Sequence, residues 1–133
     1  MTGLLLDTCV LVWAVAEPER LPGPARAGIV DPTRRVCVST ASLWELVLKQ
    51  AKGALRWSVP PGDTVGFFLE QCAAHRFEVL AIEPAVLQPL ERLPAHHRDP
   101  FDRLLVAQAI TEGLGLVTRD PMIRRYPVAT LWA

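Results

Sequence analysis

The chain has no net charge. Its 14 Lys and Arg balance 14 Asp and Glu over 133 residues, so no whole-protein field draws it to a polyanion. Any nucleic-acid contact must rest on a local basic patch. Cysteine is scarce: Cys9, Cys37 and Cys72 are odd in number, far apart and in apolar contexts. That excludes a disulfide framework and reads as reduced, buried thiols in a cytosolic protein. His75, His96 and His97 stand at no zinc spacing from them. Aromatics are only 7% of the chain, and they mark no base-stacking platform. No apolar run approaches the ~18–20 residues of a membrane span. The first such run is cut by Asp7 and no basic region precedes it, so a signal peptide is not expected. Repeats and low-complexity tracts are also missing. Half the residues are hydrophobic, which excludes a disordered chain. This length predicts one domain, residues 1–133, that buries roughly two-thirds of its surface on folding.

What is present is an alternation of short apolar runs with helical patterns. Gly3–Leu6, Val36–Val38, Phe77–Ile82 and Leu116–Thr118 read as buried strands, and Val128–Leu131 as a possible fifth. Helices are expected at Thr8–Ala16, Ala41–Lys52, Thr64–Ala74, Pro84–Arg92 and Phe101–Glu112. Residues 18–33 hold four prolines and predict a loop with at most a short helix. Ser58–Gly62 reads as a proline turn and Leu93–Arg98 as a polar loop. In the second helix, Leu43, Leu46, Val47 and Gln50/Ala51 form one stripe, and Glu45, Lys49 and Lys52 another. This order predicts an α/β domain with helices on both faces of a mainly parallel sheet of four to five strands. In such sheets, sites form beyond the carboxyl ends of the strands, where strand order switches.

Four acids stand at the mouths of these elements. Asp7 and Asp120 follow strands, and Glu45 and Asp102 open helices. Each has a structural explanation. Ser42-x-x-Glu45 is a capping-box pattern. Asp99-Pro100 and Asp120-Pro121 are N-caps followed by proline. Asp102 would then sit in a first helical turn, where a carboxylate gains ~0.3–1 kcal/mol. Yet Asp102 shares a stripe with Val106, Ala109 and Ile110, so it is expected to face inward and to need a partner. Four carboxylates at one end of one sheet would also repel each other unless a cation held them. Mg²⁺ or Mn²⁺, with oxygen ligands, meets that need and suits phosphoryl chemistry.

The chain resembles the PIN-domain nucleases, in particular the VapC-type toxins of toxin–antitoxin pairs. The resemblance rests on Leu5-Leu6-Asp7-Thr8, Ser39-Thr40-Ala41-Ser42-Leu43-Trp44-Glu45-Leu46, His96-His97-Arg98-Asp99-Pro100-Phe101-Asp102-Arg103-Leu104-Leu105, Val117-Thr118-Arg119-Asp120 and Tyr126-Pro127-Val128, in that order. It implies a three-layer αβα fold and a cytoplasmic, metal-dependent ribonuclease held inactive by a small VapB-type antitoxin. Asp7, Glu45, Asp102 and Asp120 fall on the family's acidic positions, and Thr8 and Thr118 on its hydroxyl positions. The expected roles are Asp7 and Asp102 as metal ligands, and Asp120 as a ligand through water or to a second ion. Glu45 would orient or deprotonate the attacking water. Asp99 is expected to be a helix cap.

Basic residues gather near these acids: Lys49, Lys52, His96, His97, Arg98, Arg103, Arg119, Arg124 and Arg125. Lys49, Arg98, Arg103 and Arg119 are the candidates for holding RNA phosphates, against a plain role as solvated surface charge. Trp13, Trp44 and Trp57 are expected in the core, with Trp13 and Trp44 as candidates to line an apolar groove for a partner. Similar toxins dimerise, so a homodimer or larger assembly is expected. Two other readings compete. A phosphatase-like hydrolase would use Asp7 as nucleophile, but it would want an acid two residues on, where Cys9 stands. An interaction module would use the acids only as helix caps.

Overall fold

The computed structural model describes residues 3–55, 59–60 and 62–133. Trp57 and two residues of the expected proline turn, Ser58 and Pro61, lie outside them. The described residues form five strands, β1 (Gly3–Leu6), β2 (Arg35–Ser39), β3 (Glu78–Leu80), β4 (Gly115–Val117) and β5 (Thr130–Leu131). Six α-helices join them: α1 (Thr8–Ala16), α2 (Gly23–Val30), α3 (Thr40–Ala51), α4 (Thr64–His75), α5 (Pro84–Arg92) and α6 (Pro100–Glu112). All strand pairs are parallel, and the order is β3-β2-β1-β4-β5. Succession runs outward from β1 on one side and resumes at β4 on the other, so the switch point lies between β1 and β4.

Alternation along the strands separates two cores, as a pleated strand buried on both faces requires. Leu4, Leu6, Val36 and Val38 point to the side covered by α1, α2 and α4, where Phe68 is fully buried. Leu5, Cys37 and Leu116 point to the other side, against Leu105, Val106 and Ala109 of α6. Helices on both faces of the sheet make the three layers.

Local chemistry sets the element ends. Asp7, Ser39 and Asp99 are the side-chain N-caps of α1, α3 and α6. Gly113 closes α6 at φ 67, a left-handed conformation that suits glycine. The proline-rich stretch folds further than a loop: Pro22 is the N-cap of α2 and Pro24 lies in its first turn, where a missing N–H costs nothing. The stripe expected on α3 is buried only at Leu43 and Leu46. Val47 is 38% exposed and Ala51 is exposed, because α4 covers only part of that face. On α6, Val106 and Ala109 are fully buried as expected, whereas Ile110 turns out to solvent.

Phe68 fills the space between α4 and the sheet. Phe68→Ala should lower unfolding free energy by about 3–5 kcal/mol, read from denaturant midpoints.

Candidate metal and active site

The four acids converge. Asp7, Glu45, Asp102 and Asp120, with Thr8, Cys9, Lys49, Asp99 and Arg119, line one cleft of about 210 Å³. It lies beyond the carboxyl ends of β1 and β4, at the switch in strand order, where Asp7 N–H donates to Val117 O at 3.1 Å. Larger cavities exist, some of them adjoining this one, but none of those seen among the described residues gathers all four acids.

Helix and turn caps hold the acids in place. Asp7 Oδ1 accepts from Val10 N–H at 2.8 Å. Asp120 Oδ1 accepts from Met122 N–H at 2.9 Å, and its own N–H donates to Thr118 Oγ1 at 3.1 Å. Asp99 Oδ1 accepts from Phe101 N–H at 2.8 Å and Asp102 N–H at 3.4 Å. Asp99 therefore caps α6 and sets Asp102 in its first turn.

Glu45 caps nothing. Ser39, not Ser42, caps α3, and Ser42 Oγ accepts a bond from Thr8 Oγ1 at 3.0 Å. The capping-box reading of Glu45 is therefore replaced. Its Oε2 pairs with Lys49 Nζ at 3.0 Å, and its Oε1 is buried without a hydrogen-bond partner among the described residues. A buried, unpartnered carboxylate oxygen calls for a partner such as an ordered water or a cation.

Burial and crowding raise the pKa values of two acids here. Asp7 is pushed up by burial above all and further by Glu45 and Asp120, against hydrogen bonds from Thr118 and Val10 that lower it. Asp102 is pushed up to about 7 by burial, then by Asp99, Asp7 and Glu45, against the lowering effect of His97. Burial likewise pushes up the thiols of Cys9, Cys37 and Cys72, Cys37 to about 11. None is suited to serve as a thiolate nucleophile.

His97 is a member of this site that sequence reasoning placed only among nearby basic residues. Its Nε2 lies 2.6 Å from Asp120 Oδ2 and 3.1 Å from Asp102 Oδ2. Its Nδ1 accepts from Asp99 N–H at 3.0 Å. That bond assigns the lone pair to Nδ1 and the proton to Nε2, which makes His97 a donor to both carboxylates. The signal was its place two residues before the capping Asp99, but only the bend of the loop turns the ring inward.

The donor set fits a hard divalent cation. Carboxylate oxygens predominate, and one oxygen each from Asp102 and Asp120 lies within 4.8 Å of the other, with the His97 N–H donating between them.

This architecture matches known proteins. The PIN domain family model matches residues 4–129. The chain belongs to the PIN-domain family. It is 34% identical over 99% of its length, and all of the relative's, to ribonuclease VapC22 of Mycobacterium tuberculosis. Two solved structures share the fold of this PIN domain. The DNA-bound VapBC of Salmonella typhimurium has a TM-score of 0.71 at 21% identity, over 98% of this chain and 97% of that one. FitAcB of Neisseria gonorrhoeae has a TM-score of 0.62 at 20% identity, over 96% and 95%.

The basic candidates of the PIN domain separate in space. Lys49 and Arg119 line the cleft. Arg98 lines an adjoining groove. Arg103 faces elsewhere: its guanidinium donates to Pro94 O at 2.8 Å, Tyr126 Oη at 3.2 Å and Leu93 O at 3.4 Å. It braces the loop that carries His97, which replaces the phosphate-holding role expected for it.

A carboxylate with a raised folded-state value destabilises the fold as it ionises. The stability tied to Asp102 is therefore full below about pH 4 and is lost as pH rises to about 7. In EDTA at pH 8, Asp102→Asn should stabilise the protein by roughly 1–3 kcal/mol after allowance for solvent screening, with little gain at pH 4. Thermal melts across pH test this, and equal gains at both values would refute it. His97→Ala should destabilise the EDTA-treated protein by about 1–3 kcal/mol, because two carboxylates lose their donor.

Proposed function

We propose that this PIN domain is the toxin of a toxin–antitoxin pair and acts as a metal-dependent endoribonuclease. The observation that carries this reading is the buried, unpartnered Oε1 of Glu45 in a cleft shared with three other carboxylates. Identity to a ribonuclease along the whole chain supports RNA as the substrate class. The capping-only reading does not account for Glu45. A phosphatase nucleophile at Asp7 is disfavoured, since Asp7 is 7% exposed and one oxygen is committed to the α1 cap.

Asp7, Asp102 and Asp120 would hold a divalent cation, Mg²⁺ or Mn²⁺. When bound, it would supply Lewis-acid stabilisation of a phosphorane-like charge and acidify a water. Glu45 Oε1 accepts the proton of the attacking water, and Lys49 keeps the Glu45 carboxylate oriented through Oε2. The Thr118 hydroxyl bonds to Asp7 and fixes its carboxylate, while Thr8 ties α1 to Ser42 of α3. Arg119 on the cleft rim positions a phosphate of the strand.

A small VapB-type antitoxin is the proposed partner, because VapBC complexes are among the structures that share this fold. We place the assembly, a homodimer or larger, in the cytoplasm. No helix among the described residues is long and apolar enough to cross a membrane.

Purified protein should cleave RNA with Mg²⁺ or Mn²⁺ and stop in EDTA. Glu45→Gln should slow cleavage by about 10²–10⁴ without weakening the fold, and Asp7→Asn or Asp102→Asn should abolish it along with metal-dependent thermal stabilisation. Cleavage that persists in EDTA, or survives both aspartate substitutions, would refute the mechanism.

A further inference from the structure

We infer that Trp44 and Phe101 form a stacking platform for an unpaired base of the RNA strand, next to the scissile phosphate. The inference rests on the ribonuclease reading above and deepens it.

The two rings meet where α3 and α6 begin. Their centroids are 5.0 Å apart and their planes cross at 72°, an edge-on contact that fixes the indole. Trp44 is nevertheless 58% exposed. An aromatic of that size is rarely left so open, and here its edge-on contact with Phe101 favours one orientation. Phe101 also forms one wall of a groove of about 440 Å³, together with Leu48, Lys49, Lys52, Arg98 and Pro100.

That groove is continuous with the carboxylate cleft. Glu45, Lys49 and Asp99 line both, so a strand whose phosphate lies at the acids runs directly into it. Lys52 and Arg98 are exposed and form no ion pair among the described residues. They are free to hold the phosphate next along the strand. An apolar plate with cations at its rim is the arrangement that binds single-stranded nucleic acid.

Among the described residues the opposite flank offers no open ring. Trp13 there is only 6% exposed. The guanidiniums of Arg20 and Arg119 lie 4.6 and 4.8 Å from its ring, and Trp132 packs 5.9 Å away. That flank presents charge and the Trp44 flank presents a face, so the strand is polarised across the cleft. Val47, Val65 and Leu69 are also exposed on α3 and α4. A protein covering Trp44 is therefore the competing occupant, and the experiment separates the two.

Binding of a short, unstructured, fluorescein-labelled RNA is measured by anisotropy in Mg²⁺, in an Asp102→Asn chain that leaves the strand intact. Adding Trp44→Ala should weaken binding about 5- to 100-fold, and Trp44→Phe by no more than about threefold. Abasic sites scanned one at a time should reveal one position whose loss matches that of Trp44→Ala and adds nothing to it. Unchanged binding by Trp44→Ala, or abasic losses equal in both chains at every position, overturns the inference. Sedimentation showing that Trp44→Ala dissociates the protein while RNA affinity holds would assign the patch to a chain–chain contact and overturn it too. Failure of the wild-type chain to cleave RNA would instead sink the ribonuclease reading.

Discussion

Mutual repulsion among four carboxylates is the constraint around which this molecule is built. Like charges in a partly buried cleft raise one another's proton affinity, and the fold meets this with fixed donors. Asp7 and Asp120 each commit one oxygen to a backbone N–H at a helix or turn start. Asp99 takes the N-cap of α6 and thereby sets the angle at which Asp102 enters. His97 donates across to Asp102 and Asp120. Capping and catalysis are thus not rival explanations of these acids. The caps place the carboxylates, and what the caps leave unsatisfied is what a cation can use.

The topology explains why these four meet. Asp7 follows β1 and Asp120 follows β4, and those strands are neighbours across the point where strand order reverses. α3 leaves β2 with its buried face toward the sheet at Leu43 and Leu46, which turns Glu45 to the cleft. Glu45, unlike Asp7 and Asp120, accepts no backbone N–H among the described residues. Its Oε1 meets no hydrogen-bond partner among the described residues, whereas Asp7 and Asp120 each commit an oxygen to a backbone N–H.

Around the cleft the surface is asymmetric. One flank carries Trp13 covered by arginines, and the other an open Trp44 braced by Phe101. A net charge of zero hides this arrangement. The basic residues do not form a field over the molecule but a short path through Lys49, with Lys52 and Arg98 on one side and Arg119 on the other.

Much of this was legible in the sequence. Apolar runs and turn residues are local signals, so β1, α1 and α5 were expected with the bounds the structure has. The four acids were legible because strand ends and helix starts are also local, and a parallel sheet gathers them at one edge. Three things were not. Whether Glu45 caps α3 depended on where the helix starts: Ser39 is its N-cap, which puts Ser42 inside the first turn, where it meets Thr8, 34 residues away. Arg103 left the substrate candidates because Leu93, Pro94 and Tyr126 fold over it. His97 joined the site because its loop closes on Asp120, a contact spanning 23 residues. The sequence by itself determined most of the elements, the parallel α/β class and the positions of the acids at element ends. Tertiary structure alone decided which donor each carboxylate oxygen meets, because a hydrogen bond depends on position to a fraction of an ångström, and no local pattern encodes that.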